Sequence, residues 1–196
     1  MLNLLRPGPV TYLFVFITLL WWLEFIIFSK NPGGRDKKSK KGHSSFNLIL
    51  GAILFSLVLS LSLYFFNLGN LKNSSALFFR NSGIVLYGMG IFIRYWSLIL
   101  LGSYFTRYIE VQKEQPLISS GPYRILRHPS YTGLLLLNAG LHFFIGNLPG
   151  IIISFIIIFT ALHVRILEEE ASMEEFFGER YKRWKMGRKR LFPWIY

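Results

Sequence analysis

The chain reads as all-α: a polytopic membrane protein of about five transmembrane helices, with a C-terminal helical hairpin and a cytoplasmic amphipathic tail. Three observations predict this. Hydrophobic residues fill 52% of the 196 positions and charged ones only 16%, whereas soluble domains carry about 25% charged residues. The 22 Lys and Arg sit in a few blocks between long uncharged runs. No stretch alternates apolar and polar residues as a strand would. The absence of Cys excludes a disulfide framework, thiol catalysis and thiolate metal sites. A net charge of +12 in so apolar a chain points to an anionic membrane surface, not to nucleic acid.

A membrane-crossing helix needs roughly 20 mostly apolar residues. The first candidate runs from Pro9 to Phe28, interrupted only by Glu24. It is too long for a secretory signal and runs into a basic stop-transfer loop, so it is expected to be retained. The second, Phe46 to Phe66, carries no charge, and the third, Asn81 to Leu101, carries only Arg94. Two shorter segments follow, Tyr131–Ile145 and Pro149–Leu162. The Gly146-Asn147-Leu148-Pro149-Gly150 turn signal between them predicts a tight antiparallel hairpin.

Basic residues orient the spans. Loop 29–45 holds Lys30, Arg35, Lys37, Lys38, Lys40 and Lys41 against one acid, Asp36, and seven more follow from Arg180 to Arg190. The positive-inside bias puts the N-terminus outside and the basic loop, the stretch after residue 101 and the tail in the cytoplasm. Glu24 and Arg94 lie near the inner ends of their spans and are expected to form a structural ion pair. His142 and His163 are expected to hydrogen-bond another helix; nothing has metal-ligand spacing with them, so no metal is expected. Trp184, Phe192, Trp194 and Tyr196, interleaved with Lys and Arg, look like an interfacial tail.

The chemistry is concentrated after residue 101. In Val111–Gly133, Gly121-Pro122 marks a turn, and Pro129 breaks helix at His128 while suiting the first turn of the next helix. Free N–H groups there suit a carboxylate or phosphate. Arg165, Glu168 and Glu169 share a helical face by their i, i+3, i+4 spacing, and the hairpin returns them to the level of His128. A solvated helix laced with ion pairs is the alternative for Glu168–Glu175.

The ordered set VQKEQPLISSGPYRILRHPSYTG, an apolar hairpin, then R-x-x-E-E-E-A-S-x-x-x-F-F-G-x-x-Y resembles the isoprenylcysteine carboxyl methyltransferase family of integral membrane enzymes, over roughly residues 110–184. The resemblance implies S-adenosyl-L-methionine as cofactor, held without a Rossmann fold. It places cofactor contacts on Gln112, Gln115, Pro116, Leu117, Ile118, Tyr123, His128, Pro129, Ser130, Tyr131 and Glu169, and the substrate-binding arginine on Arg165. Position 115 is Gln where eukaryotic members carry His. Residues 1–101 then form three N-terminal spans with the basic loop. Residues 102–196 form the catalytic region: a cofactor loop 102–130, a hairpin 131–166 and a cytoplasmic tail 167–196.

The implied reaction methylates a carboxylate on a lipophilic small molecule or prenylated peptide at the cytoplasmic face, with anionic headgroups meeting the basic loop. Such a carboxylate, with a pKa of about 3.5, is ionised at neutral pH and needs no general base. Alternatives remain open. An N-methyltransferase acting on phosphatidylethanolamine-like amines would need a base, Glu168, which is the second candidate catalytic residue after Arg165. An NADPH-dependent sterol-type reductase shares a similar hairpin and tail, and a non-catalytic scaffold would use the polar clusters only for topology.

Overall fold

The structure is a computed structural model that describes residues 8–27, 43–106, 109, 111, 115–193 and 196. Six α-helices follow in order: α1 (Pro9–Ile27), α2 (His43–Phe65), α3 (Asn73–Leu101), α4 (Pro129–Ile145), α5 (Leu148–Phe177) and α6 (Glu179–Lys185), with 3-10 turns at Gly102–Tyr104 and Gly121–Arg124. Among the described residues there are no strands, only two isolated bridges. The five expected spans correspond one for one to α1–α5. Three of them, α2, α3 with the turn after it, and α5, are long and apolar enough to cross a membrane. Large side chains such as Phe16 (57% exposed), Phe55 (61%) and Phe92 (63%) point outward along these helices. That pattern suits hydrocarbon and not water, so the chain is an integral membrane protein.

Two helices exceed the lengths expected from hydropathy. α3 begins at Asn73, eight residues before Asn81, because Asn73, Ser74 and Ser75 open a helix well enough although they are polar. α5 runs unbroken for 30 residues through Glu168-Glu169-Glu170 and stops only at Gly178, whose φ is +53°. The expected tail from residue 167 therefore begins inside α5. At 1.5 Å per residue Arg165 lies about 26 Å along this helix, near the edge of a hydrocarbon layer about 30 Å thick. The glutamates sit within the next turn or so. At the other end of α5 the turn closes as expected: Gly146 takes a left-handed conformation, and the Asn147 side chain accepts from Gly150 N (2.8 Å) while donating to Leu68 O and Asn70 Oδ1 (2.8 Å each).

α3 and α4 pack through small residues, the usual device where lipid supplies no hydrophobic drive. A Cβ at Gly140 would lie 2.6 Å from Gly83 O and from Tyr87 N, and one at Gly90 would lie 2.7 Å from Leu137 N. Backbone on both sides cannot yield. Gly140→Ala is expected to destabilise the protein by about 1–3 kcal/mol in thermal unfolding of detergent-solubilised protein. Gly88→Ala, which meets nothing within 4 Å, should leave the melting temperature unchanged.

Of the two histidines, His142 faces the backbone of Ser56 on α2, as expected, whereas His163 meets the C-terminal segment and not another helix. His142 Nδ1 pairs with the carbonyl of Asn138 on its own helix (2.8 Å), because side chains lean back toward the preceding turn. His163 bonds the Tyr196 hydroxyl of the chain's last residue. Among the described residues no cluster of His, Asp or Glu suits a metal.

Candidate active site at the mouth of the hairpin

The hairpin places the start of α4 beside the end of α5, and the C-terminal strap, residues 186–193, closes over both. Backbone bonds tie strap to loop: Lys189 N to Ile125 O (2.9 Å), Arg127 N to Lys189 O (2.7 Å) and His128 N to Arg190 O (3.2 Å). The Thr132 hydroxyl donates to Leu191 O at 2.8 Å. Below them sits Glu170, 5% exposed. Its Oε1 accepts from Arg127 Nη1 (3.0 Å) and faces His128 Nε2 (3.3 Å), while its Oε2 accepts from Arg190 Nε (3.1 Å) and Nη2 (2.9 Å). Both oxygens are engaged, so Glu170 binds protein, not ligand. The carboxylate in turn pushes the Arg190 guanidinium above its ordinary pKa.

One residue earlier, about 100° around the helix, Glu169 points elsewhere. It accepts from the Tyr131 hydroxyl (2.7 Å), lies 3.8 Å from His128 Nδ1 and keeps its side chain 31% exposed. The same Tyr131 oxygen accepts from Arg165 Nε (3.2 Å), and Arg165 Nη1 donates to the Ser45 hydroxyl on α2 (2.9 Å). A chain Arg165–Tyr131–Glu169 thus links α5 to α4, and Ser45 extends it to α2.

Two hollows meet here. The larger, about 750 Å³, is mostly apolar and runs between α1, α2, α4 and the neighbouring helices, from Phe14, Ile53 and Leu141 to Arg165 and Glu169. The smaller, about 60 Å³, lies under the strap and loop 115–118. Leu101, Gln115, Ser130, Glu169 and Met173 line both and form their common wall.

Of the residues singled out in the sequence, Gln115, Pro116, Leu117, Ile118, Tyr123, His128, Ser130 and Glu169 line the small hollow. Tyr131 and Arg165 line the large one. Pro129 is fully buried and lines neither. Glu168 is exposed and also lines neither, since the buried face of α5 is set by Leu162, Arg165, Ile166 and Glu170. Gln112 lies outside the described residues. Met173, Tyr181 and Trp184 also line the small hollow; Met173 stands out by nothing in the sequence, Tyr181 entered only as the tyrosine that closes the family motif, and Trp184 only as an interfacial residue. The Trp184 indole donates to Ile118 O at 3.0 Å and stacks with Tyr181 at 5.5 Å. Trp184 thus packs on the site, where an interfacial role was expected. Burial, then the Glu170 and Glu169 carboxylates, push the Tyr181 phenol up, so it stays a neutral hydroxyl; burial does the same at Tyr123.

Glu24 and Arg94, on the wall of the large cavity, pair as expected, through two bonds of 2.6 Å, and Arg94 Nη1 also donates to Ser130 O (3.2 Å). Removing one partner of so buried a pair is expected to cost about 3–5 kcal/mol. In thermal unfolding the exchange Glu24→Arg with Arg94→Glu should recover much of what either single change loses. No recovery would show that the pair is not what holds α1 to α3.

A family model described as phospholipid methyltransferase matches residues 78–180, from α3 into α6. Protein-S-isoprenylcysteine O-methyltransferase B of Arabidopsis thaliana is 31% identical over 103 residues, 52% of this chain and 52% of its own length. The Schizosaccharomyces pombe protein-S-isoprenylcysteine O-methyltransferase is 25% identical over 109 residues, 55% of this chain and 46% of its own. The chain spans about half the length of these curated relatives. Among solved structures, a eukaryotic intramembrane Ras methyltransferase, an isoprenylcysteine carboxyl methyltransferase, aligns with a TM-score of 0.70 over 98% of this chain and 70% of its own; at 20% identity the likeness is one of fold. The matched stretch carries all five residues of the common wall, and with more than half of its length matched the chain belongs to the phospholipid methyltransferase family.

Proposed function

We propose that this protein is a membrane methyltransferase that moves a methyl group from S-adenosyl-L-methionine to a carboxylate on a lipophilic, isoprenylcysteine-like acceptor. The observation that carries the reading is the common wall: a small hollow with charged and aromatic groups in its lining and a long apolar cavity meet at Gln115, Ser130 and Glu169, with Arg165 on the cavity side. A hydrophilic donor and a lipid acceptor approach each other from those two directions.

The residues present fit such a cofactor. Glu169, partly open, accepts hydrogen bonds from an ammonium, and the stacked Tyr181–Trp184 pair with Leu117 and Ile118 offers an aromatic and apolar seat for a nucleoside. Ligand sites usually enclose about 300–1,000 Å³, so the small hollow takes part of the molecule and the shared wall the rest. When bound, the cofactor supplies an electrophilic methyl group. Arg165 holds the acceptor carboxylate by charge-assisted hydrogen bonds, with Tyr131 fixing its orientation. His128, spanned between Glu170 and Glu169, is a positioning residue. No proton has to move, so proximity, alignment and exclusion of water carry the rate. Positive-inside bias places this site on the cytoplasmic side, with the N-terminus outside and the basic loop against anionic lipid.

Calorimetric titration of the detergent-solubilised protein with S-adenosylhomocysteine tests the cofactor. Wild type should bind, and Glu169→Ala and His128→Ala should each bind about 10–100-fold more weakly. Absence of binding by folded wild type removes the cofactor assignment. The acceptor is tested by the pH profile: kcat for a prenylcysteine carboxylate should be flat from about pH 6 to 8, because the acceptor is already ionised. A rise through neutrality with an amine acceptor would identify N-methylation instead.

A further inference from the structure

The large cavity has a floor far from the junction. Its outermost lining residues are Phe14 on α1, Leu57 on α2, Tyr87 on α3 and Leu141 on α4. Height is counted from the junction, where Ser45 meets Arg165 and where Glu24 meets Arg94, which also bonds the Ser130 carbonyl. Phe14 lies ten residues from Glu24 and Leu141 ten from Tyr131, about 15 Å each, and Leu57 lies twelve from Ser45, about 18 Å. The Tyr87 backbone is lower, but its side chain leans outward toward the start of α3. Phe14 closes the end: its ring stacks on Phe144 (centroids 4.0 Å apart) and meets Tyr87 at 4.9 Å. Further out, the Arg80 guanidinium stands 4.7 Å from the Phe144 ring centre and donates to the Thr11 hydroxyl. A hydrocarbon chain reaching past Phe14 meets rings in close contact and then a cation.

Such a floor measures length. From a carboxylate held at Arg165, an S-farnesylcysteine extends about 18 Å and an S-geranylgeranylcysteine about 23 Å, at about 1.2 Å per skeletal bond. The first matches the depth of the cavity, and the last isoprene unit of the second overruns it by about 5 Å. We infer that Phe14 is a specificity determinant that fits the cavity to an acceptor chain of three isoprene units and turns away a fourth. This rests on the isoprenylcysteine-like reading of the acceptor. Thr18 lines the same wall one helical turn nearer the junction, on the face of α1 that carries Phe14. It marks where a raised floor would stand.

The test measures methylation of N-acetyl-S-farnesylcysteine and N-acetyl-S-geranylgeranylcysteine by the full chain in detergent. Wild type should favour the farnesyl compound by about 10–100-fold in kcat/KM. Phe14→Ala opens the floor and should bring that ratio near one. Phe14→Leu keeps more of the packing and should move the ratio part of the way if the alanine variant does not fold. Thr18→Phe should raise the floor by about 6 Å and shift the preference to N-acetyl-S-geranylcysteine. Equal or better turnover of the geranylgeranyl compound by wild type, or a farnesyl preference that none of these variants moves, overturns the inference and leaves the acceptor reading standing. Wild type that binds S-adenosylhomocysteine yet methylates none of the three compounds overturns both.

Discussion

Glu170→Ala is expected to destabilise the protein by about 3–5 kcal/mol and to abolish binding of S-adenosylhomocysteine. The carboxylate is the single anion shared by Arg127, His128 and Arg190, and its side chain is only 7% exposed. Its removal leaves three donors facing each other in a poorly hydrated pocket, and the loss comes more from that repulsion than from any one bond. The strap should detach first. Trypsin should then cut after Arg188, Lys189 and Arg190 much faster than in wild type, before α1–α5 melt. Arg190→Ala should be milder, since its side chain is 26% exposed and Arg127 remains on Glu170. A Glu170→Ala protein that melts with wild type and resists trypsin would show that the backbone bonds alone hold the strap.

That clamp was not legible in the sequence, for a physical reason. Three consecutive glutamates are indistinguishable by composition, and a helix turns about 100° per residue. Their roles are therefore decided by which face α5 buries. Glu168 ends exposed, Glu169 at the junction and Glu170 buried. The i, i+3, i+4 spacing put Arg165 with both Glu168 and Glu169, but the face centres between Arg165 and Ile166, so of those two Glu169 is half-buried and Glu168 is left exposed. Arg190 meets Glu170 across 20 residues by way of the turn at Gly178, and no local signal marks such a pairing. What was legible is the part written in breaks and caps. Pro129 opens α4, Gly121-Pro122 makes a 3-10 turn, and Gly146-Asn147 closes the hairpin. Those features brought Tyr131 and Arg165 to one level, and hydropathy located the spans. Hydropathy did not locate the helix ends, because leaving a membrane does not end a helix.

Arg165→Lys is expected to lower kcat/KM for methyl transfer by about 100-fold while leaving S-adenosylhomocysteine affinity within a few-fold of wild type. The guanidinium holds two fixed bonds at once, Nε to the Tyr131 hydroxyl and Nη1 to the Ser45 hydroxyl, and it is 4% exposed on the apolar side of the junction. A lysine keeps the charge but not the planar fork, so its ammonium satisfies one of these partners at the expense of the other. The acceptor carboxylate is then held by a point charge on a flexible stem, and a misplacement of about 1 Å is enough for a 100-fold loss. Because Arg165 lines only the large cavity and reaches Glu169 only through the Tyr131 hydroxyl, cofactor binding should be nearly untouched. Ser45→Ala, which removes only the outer tether, should cost a few-fold. An equal loss of cofactor affinity in Arg165→Lys would mean that the arginine holds the junction together; unchanged turnover would remove it from the acceptor site altogether.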